Sequence, residues 1–318
     1  MSDESKAYEG TVVLLGPQPR DYSDLRDAVD ELDVDGPIAL ITAGWQENEA
    51  DDGVVKEALG RQVINLSLHE RSEDVAVDAE DFLDAWSLRQ KRLRRLQEFY
   101  RRRLDSIDDA DRAIAVRHIS PEMLEEQLEI TVSELRHLDD DHLARCRRTR
   151  MRFGEKWPVS SVDSLMDHRR QVAEELDKCA AMVISGGHVV ALLNRLRLFD
   201  VFSHWKDRPI VAWSAGAMVL TERIVLFHDS PPFGKNLAQL LDVGFGFCPD
   251  LVALPDLSNR VHLEEQDGIG RFVRRMAPAR CLGLDPGSKI ICRGGEMVEI
   301  SDIARLEMSG EVQWGWQL

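Results

Sequence analysis

The sequence predicts an α/β fold: a doubly wound, mostly parallel sheet that carries a helical insertion. Three observations predict it. Short apolar runs ended by Gly or Pro alternate with helix-spaced segments near both ends of the chain. Between them, from about Asp81 to Asp177, strand signals almost vanish. Two of the later apolar runs end in small-residue turns that lead straight into helical sequence.

Taken in order, Thr11 to Leu15 is a buried strand stopped by Gly16-Pro17, and Tyr22 to Leu32 has helical spacing. Pro37 to Thr42 is a second strand, ended by Ala43-Gly44, and Gln62 to Leu66 is a weaker third. Residues 1–80 thus read as the first part of the α/β domain. In the helical insertion or side layer, 81–178, Phe82, Trp86, Leu93, Leu96, Tyr100 and Leu104 recur at helical intervals. Ser120-Pro121 is an N-cap with proline at the first helical position, and Leu124, Leu128, Val132 and Leu135 continue that helix. A further helix covers Leu165 to Leu176. Residues 179–318 return to strands at Ala181 to Ser185, Pro209 to Trp213, Arg223 to Phe227 and Leu251 to Leu254. The tail from Ala279 reads as a small antiparallel edge.

Composition excludes several functions. A net charge of −17 argues against nucleic acid, whose phosphates need a basic face. No apolar run approaches the roughly 20 residues of a membrane helix, and Met1 to Gly10 lacks an apolar signal core. A cytoplasmic protein without membrane contact is expected. The five cysteines, Cys146, Cys179, Cys248, Cys281 and Cys292, show no metal-ligand spacing, so reduced, buried thiols and no metal are expected. Eight basic residues lie between Arg89 and Arg103, and five arginines between Arg145 and Arg152. They read as a solvated face, or one paired with the acidic body, and otherwise as a recruiter of polyanions.

The chemistry concentrates at Arg208 to Ala217. An apolar strand runs directly into Ser214, with Ala212 two residues before it and Gly216 two after, and helical sequence follows. A nucleophile elbow needs small neighbours at those positions, because the cramped turn lifts the hydroxyl out of the sheet. It also points the Ala215 amide at a developing oxyanion. A tight strand–helix turn with a capping serine would look the same. The second segment, Ala181 to Leu196, is another strand, a Gly186-Gly187 turn and a helix. Paired glycines let backbone approach a ligand closely. If this strand neighbours the Ser214 strand, the Gly187 amide becomes a second oxyanion donor.

In this order and spacing the two segments resemble the cyanophycinase and dipeptidase E (aspartyl dipeptidase) family of serine peptidases, which has a class I glutamine amidotransferase-like fold. Gly186, Gly187, Leu192 and Leu193 match its strand-Gly-Gly-helix segment, and Ser214, Ala215, Gly216 and Ala217 match its Ser-Ala-Gly-Ala. The resemblance implies a Ser-His-acid triad, a peptide substrate with a leaning toward small or acidic peptides, and no cofactor. Asp229 falls where the family's acid lies. The stretch Val252 to Asn259 aligns with the family's histidine segment and puts Asp256 where the histidine belongs. Ala212 stands for the usual glycine, and His188 follows the glycine pair where cyanophycinases carry acidic or amide residues. An unassisted serine is a poor nucleophile, and a carboxylate is a weaker base than imidazole near neutral pH. Three alternatives stay open: His262 as base, His188 as base, or a degenerate member that binds a peptide or protein without turnover. His228, next to Asp229, is a further candidate. A glutamine amidotransferase would need cysteine at the elbow, and no cysteine here follows an apolar strand into such a turn. A homo-oligomer is also possible.

Overall fold

The computed structural model describes residues 8–115, 120–227 and 238–318. The chain enters β1 (Thr11–Leu15), turns through α1 (Ser23–Asp30) and returns as β2 (Ile38–Ile41). A 3₁₀ turn over Ala43–Asn48 precedes α2 (Gly53–Leu59), β3 (Val63–Asn65) and α3 (Leu68–Asp78). Two 36-residue helices follow, α4 (Glu80–Ala115) and α5 (Pro121–Lys156), then α6 (Asp163–Leu176). The chain then continues through β4 (Ala181–Ile184), α7 (Val189–Leu198), α8 (Val201–Trp205), β5 (Ile210–Trp213) and α9 (Ala215–Leu220). The chain ends with β6 (Arg223–Leu226), β7 (Gln239–Val243), β8 (Leu251–Pro255), α10 (Leu257–Arg260), α11 (Gln266–Met276), β9 (Arg280–Leu284), β10 (Lys289–Arg293), β11 (Glu296–Ser301), β12 (Ile303–Leu306) and β13 (Val312–Trp316).

The central sheet has seven strands in the order β11-β10-β1-β5-β4-β2-β3. Its β1, β5, β4, β2 and β3 run parallel, as the apolar runs predict, while β10 and β11 are antiparallel at one edge. Strand alternation splits the core in two. Val12, Leu14, Ala39, Ile41, Met182, Ile184, Ile210 and Ala212 pack on one face. Val13, Leu15, Ile38, Leu40, Ala181, Val183, Val211 and Trp213 pack on the other. Both faces are covered, which is why these strands read as continuous apolar runs and not as alternating ones.

Two expectations change. The tail is not one edge: β10 and β11 join the central sheet, whereas β12 and β13 join a separate four-stranded sheet, β13-β12-β9-β8. Asp302, at φ 52°, turns the chain between them. The strand at Leu251 belongs to this second sheet, where β8 lies parallel to β9. Apolar pattern alone does not say which sheet a strand joins. Among the described residues β6 and β7 form a third, two-stranded unit.

The region 81–178 supplies no strand among its described residues. The Ser120 hydroxyl accepts from the Met123 amide at 3.4 Å and caps α5, with Pro121 behind it. The helix then runs well past Leu135, because neither proline nor glycine interrupts it before Gly154. A buried polar cluster ties α4 and α5 to the body. Arg275 of α11 grips Asp139 of α5 in bidentate fashion, Nε to Oδ2 at 2.7 Å and Nη2 to Oδ1 at 2.6 Å. The Tyr100 hydroxyl of α4 donates to Asp139 at 2.8 Å and accepts from the Leu240 amide of β7 at 3.0 Å. Arg275 also donates to the Ala238 carbonyl at 2.8 Å. Nor are all the basic residues solvated. Arg150 and Arg197 share Asp242, while Arg89 stacks 3.4 Å over Trp86. Burial first, then the like charges of Arg150 and Arg197, pulls the Arg89 pKa down.

All five cysteines are buried and free. No helix among the described residues is long and apolar enough to cross a membrane.

The side chains of Arg275 and Asp139 are only 3% and 2% exposed, so removing one partner strands a buried charge. Asp139→Ala is expected to cost about 3–5 kcal/mol, read as a lower urea midpoint. The double change Asp139→Leu with Arg275→Met, which leaves no unpaired charge, is expected to cost less than the single one.

Candidate active site

The site is built where β4 and β5 end side by side. Ile184 lies opposite Ala212 in the register, so the turns that follow them meet. Ser214 leaves β5 with φ 50° and ψ −116°, a conformation that L-residues other than glycine rarely adopt. Its amide donates to the Leu15 carbonyl at 3.2 Å, and its carbonyl accepts from the Met218 amide at 3.1 Å. Strand and helix thus hold the bend from both sides. Its side chain sits in a half-buried position at the carboxyl edge of the sheet, where ligands bind in open α/β folds.

The neighbouring glycines are explained by space. A Cβ on Gly216 would stand 2.4 Å from the Ile184 carbonyl oxygen and 2.9 Å from that of Ser185. A Cβ on Gly186 would stand 3.0 Å from the Ser214 Cβ and 3.3 Å from the Trp213 Nε1. Gly187 has φ 110°, and a Cβ there would meet the Gly44 carbonyl oxygen at 2.5 Å. The glycine pair is therefore pressed against the elbow on one side and against the turn after β2 on the other. The His188 amide donates to that same Gly44 carbonyl at 2.7 Å. Gln46, one turn further on, has φ 57° and ψ −123°, close to the conformation of Ser214. Buried Glu49 ends this turn and accepts from the His69 and Glu70 amides at 2.8 and 3.0 Å; burial still holds its carboxyl above the usual range.

A cleft of about 430 Å³ opens over the elbow. Gly187, His188, Ser214 and Ala215 line it together, with Met218, Leu226, Leu254 and Pro255 as apolar walls and Arg260 as a cation. Among the described residues no side chain hydrogen-bonds the Ser214 hydroxyl.

The expected partners lie as follows. His188 shares the cleft, but it caps α7: its Nδ1 accepts from the Ala191 amide at 3.2 Å. A neutral ring in that role carries its proton on Nε2. His262 lines an adjacent cavity that shares Phe227 and Val261 with the cleft, and its Nδ1 lies 3.2 Å from Glu264. Hydrogen bonds from the Glu264 amide and from His262 hold the Glu264 carboxyl low. Asp256, at φ 62°, begins α10. Its Oδ1 accepts from Asn259 at 2.8 Å, and its Oδ2 stands 3.6 Å from the Arg260 Nε. Asp229 and His228 lie outside the described residues. No cluster of His, Cys, Asp or Glu suited to a metal ion is present among the described residues.

Sequence reasoning passed over the turn Ala43–Asn48 and the cation Arg260. The only sign of the first was Ala43-Gly44 at a strand end; nothing local marked Arg260, which the fold brings in from the second sheet's side.

Residues 137–300 match the model of peptidase family S51. No curated protein matches the chain. Similar solved structures include a peptidase from an acI-B1 Actinobacterium, 14% identical over 98% of this chain and 96% of that one, with a TM-score of 0.47. A putative peptidase E protein from Listeria monocytogenes EGD-e is 12% identical over 94% of this chain and 99% of that one, with a TM-score of 0.43.

The two glycines are expected to respond differently to a methyl group. Gly216→Ala drives Cβ into backbone and should cost about 1–3 kcal/mol or more in a thermal melt. Gly186→Ala meets mainly side-chain atoms, so it should melt closer to wild type while displacing the Ser214 hydroxyl.

Proposed function

The chain belongs to peptidase family S51, and on that premise we propose that it is a serine hydrolase in which Ser214 attacks a peptide carbonyl. The observation that carries this reading is the bend at Ser214, φ 50° and ψ −116°, facing a cleft that it shares with the glycine loop. Such a strained backbone persists only where its surroundings over-determine it. The Gly187 and Ala215 amides would hold the oxyanion, and one such donor contributes about 10²–10³ in rate.

Among the described residues His188 is the imidazole that lines the same cleft, and we assign it the proton of the attacking hydroxyl. As a base its Nε2 must accept, so the ring must exchange its capping tautomer for the one protonated on Nδ1. A hydrogen bond of this kind is worth about 1 kcal/mol net, so the working tautomer is disfavoured by only about fivefold. Arg260 in the cleft supports a substrate bearing a carboxylate, in keeping with small or acidic peptides. Asp229 would orient the base.

A second reading, a family member that binds a peptide without turnover, draws on Asp256 being engaged by Asn259 and Arg260. It also draws on His188 being engaged as a cap.

Labelling with a fluorophosphonate probe separates these readings. Wild type is expected to label, and Ser214→Ala to stay at background. His188→Ala should label about 100-fold more slowly, the low end for loss of a general base, with His262→Ala near wild type. Equal labelling of wild type and Ser214→Ala leaves only the binding reading. A slow His262→Ala beside a normal His188→Ala moves the base to His262.

A further inference from the structure

The charge on α5 is sorted along its length. Glu122, Glu125, Glu126, Glu129 and Glu134 occupy its first half with Arg136 as the exception, Asp139, Asp140 and Asp141 follow the midpoint, and Arg145, Arg147, Arg148, Arg150 and Arg152 fill its last part ahead of Glu155. The helix's own dipole favours this order, but only within the first and last turn. Here the asymmetry reaches several turns inward. Apolar residues lie exposed on the same helix: Met123 at 53%, Ile130 at 50% and Met151 at 58%. The dipole accounts for none of these.

The two patterns share one centre. Met123 and Met151 each lie 14 residues from His137, Glu126 and Arg148 each lie 11, and Glu122 and Arg152 each lie 15. At 3.6 residues per turn those steps are close to whole turns, so all seven residues fall within about 60° of one line along the helix. All seven are exposed. Among the described residues Glu122, Glu126, Arg148 and Arg152 form no ion pair. The mirrored set carries opposite charges at Glu126 and Arg148 and at Glu122 and Arg152, against one like-charged pair, Glu134 and Asp140, so this face is on balance complementary to itself when antiparallel, which is the isologous contact of a two-fold dimer.

We propose that this face of α5 pairs with α5 of a second copy of the chain, antiparallel, on a two-fold axis at His137. In that register Met123 meets Met151, Glu126 meets Arg148 and Glu122 meets Arg152, each pair occurring twice. The overlap spans about 45 Å at 1.5 Å per residue. Two chains of net charge −17 repel at long range, so the contact needs a surface that brings its own cations. The basic end of α5 supplies them.

The test is the mass of the full chain in solution, by sedimentation velocity at tens of micromolar protein. The expected species is twice the 36.1 kDa chain. Glu126→Arg alone, or Arg148→Glu alone, turns two attractions into two repulsions and should weaken association about tenfold or more. Both changes in one chain restore the pairing and should return the affinity to near wild type. His137→Cys should crosslink to its own copy with a short bis-maleimide, since the native cysteines are buried and only residues near the axis meet themselves. All three sites are exposed, so the fold survives the changes, as circular dichroism checks. A monomeric wild type overturns the proposal, as does a dimer indifferent to the single swaps, or single losses that the double variant does not recover. A monomer that instead binds polyglutamate through the arginines would assign the basic end to an acidic partner and overturn it equally.

Discussion

The close approach of two backbones governs the rest of this structure. Where β4 and β5 finish, the Ile184 and Ser185 carbonyls stand so near Gly216 that no side chain fits there, and a methyl at Gly186 would press on the Ser214 Cβ. Beside this contact Ser214 takes a positive φ, and the parallel pairing of β1, β5 and β4 underneath holds the strand from which it bends. Strain of this kind costs about 1–3 kcal/mol locally. The buried strands on either side of Ser214 supply far more than that. The cost is borne by the scaffold, and the hydroxyl stays aimed without help from a partner side chain.

A second constraint organises the rest of the chain. The Arg275, Asp139 and Tyr100 cluster joins four elements that are far apart in sequence, α4, α5, β7 and α11. Each polar atom in it is engaged by another, which is the condition under which a buried charge is tolerated. The long helices are therefore not a loose appendage: their inner faces are anchored by directional contacts as well as by Leu104, Leu135 and Leu138.

Much of this was legible in the sequence, for identifiable reasons. Continuous apolar runs ended by glycine located β1, β2, β4 and β5, because a strand buried on both faces has no polar alternation. Ser120-Pro121 located the start of α5, because a cap is a local device. The glycine pair and the small residues about Ser214 marked the elbow, because steric exclusion leaves its trace at the excluded positions themselves. The membership of β8 in a second sheet was not legible, since an apolar strand carries no record of its neighbour. Nor were Arg260 at the cleft or the engagement of Asp139 by Arg275, which depend on contacts between residues distant in sequence. His188 lay between these cases. Its place after the glycine pair made it a candidate, but its capping bond to Ala191 is a matter of ring orientation.

The division of the strands between separate sheets has a consequence for how the cleft can vary. Ser214 rides on β5 of the central sheet, whereas Leu254, Pro255 and Arg260 ride on or just after β8 of the other. No ladder of hydrogen bonds spans the two sheets among the described residues. Between them lies α9, which starts at the elbow and packs against both β5 and β8, so the width of the opening depends on that helix, as a shim sets the gap between two plates. Changes in side-chain volume on β8 where it meets α9 would alter which molecules fit without touching the strand that carries Ser214.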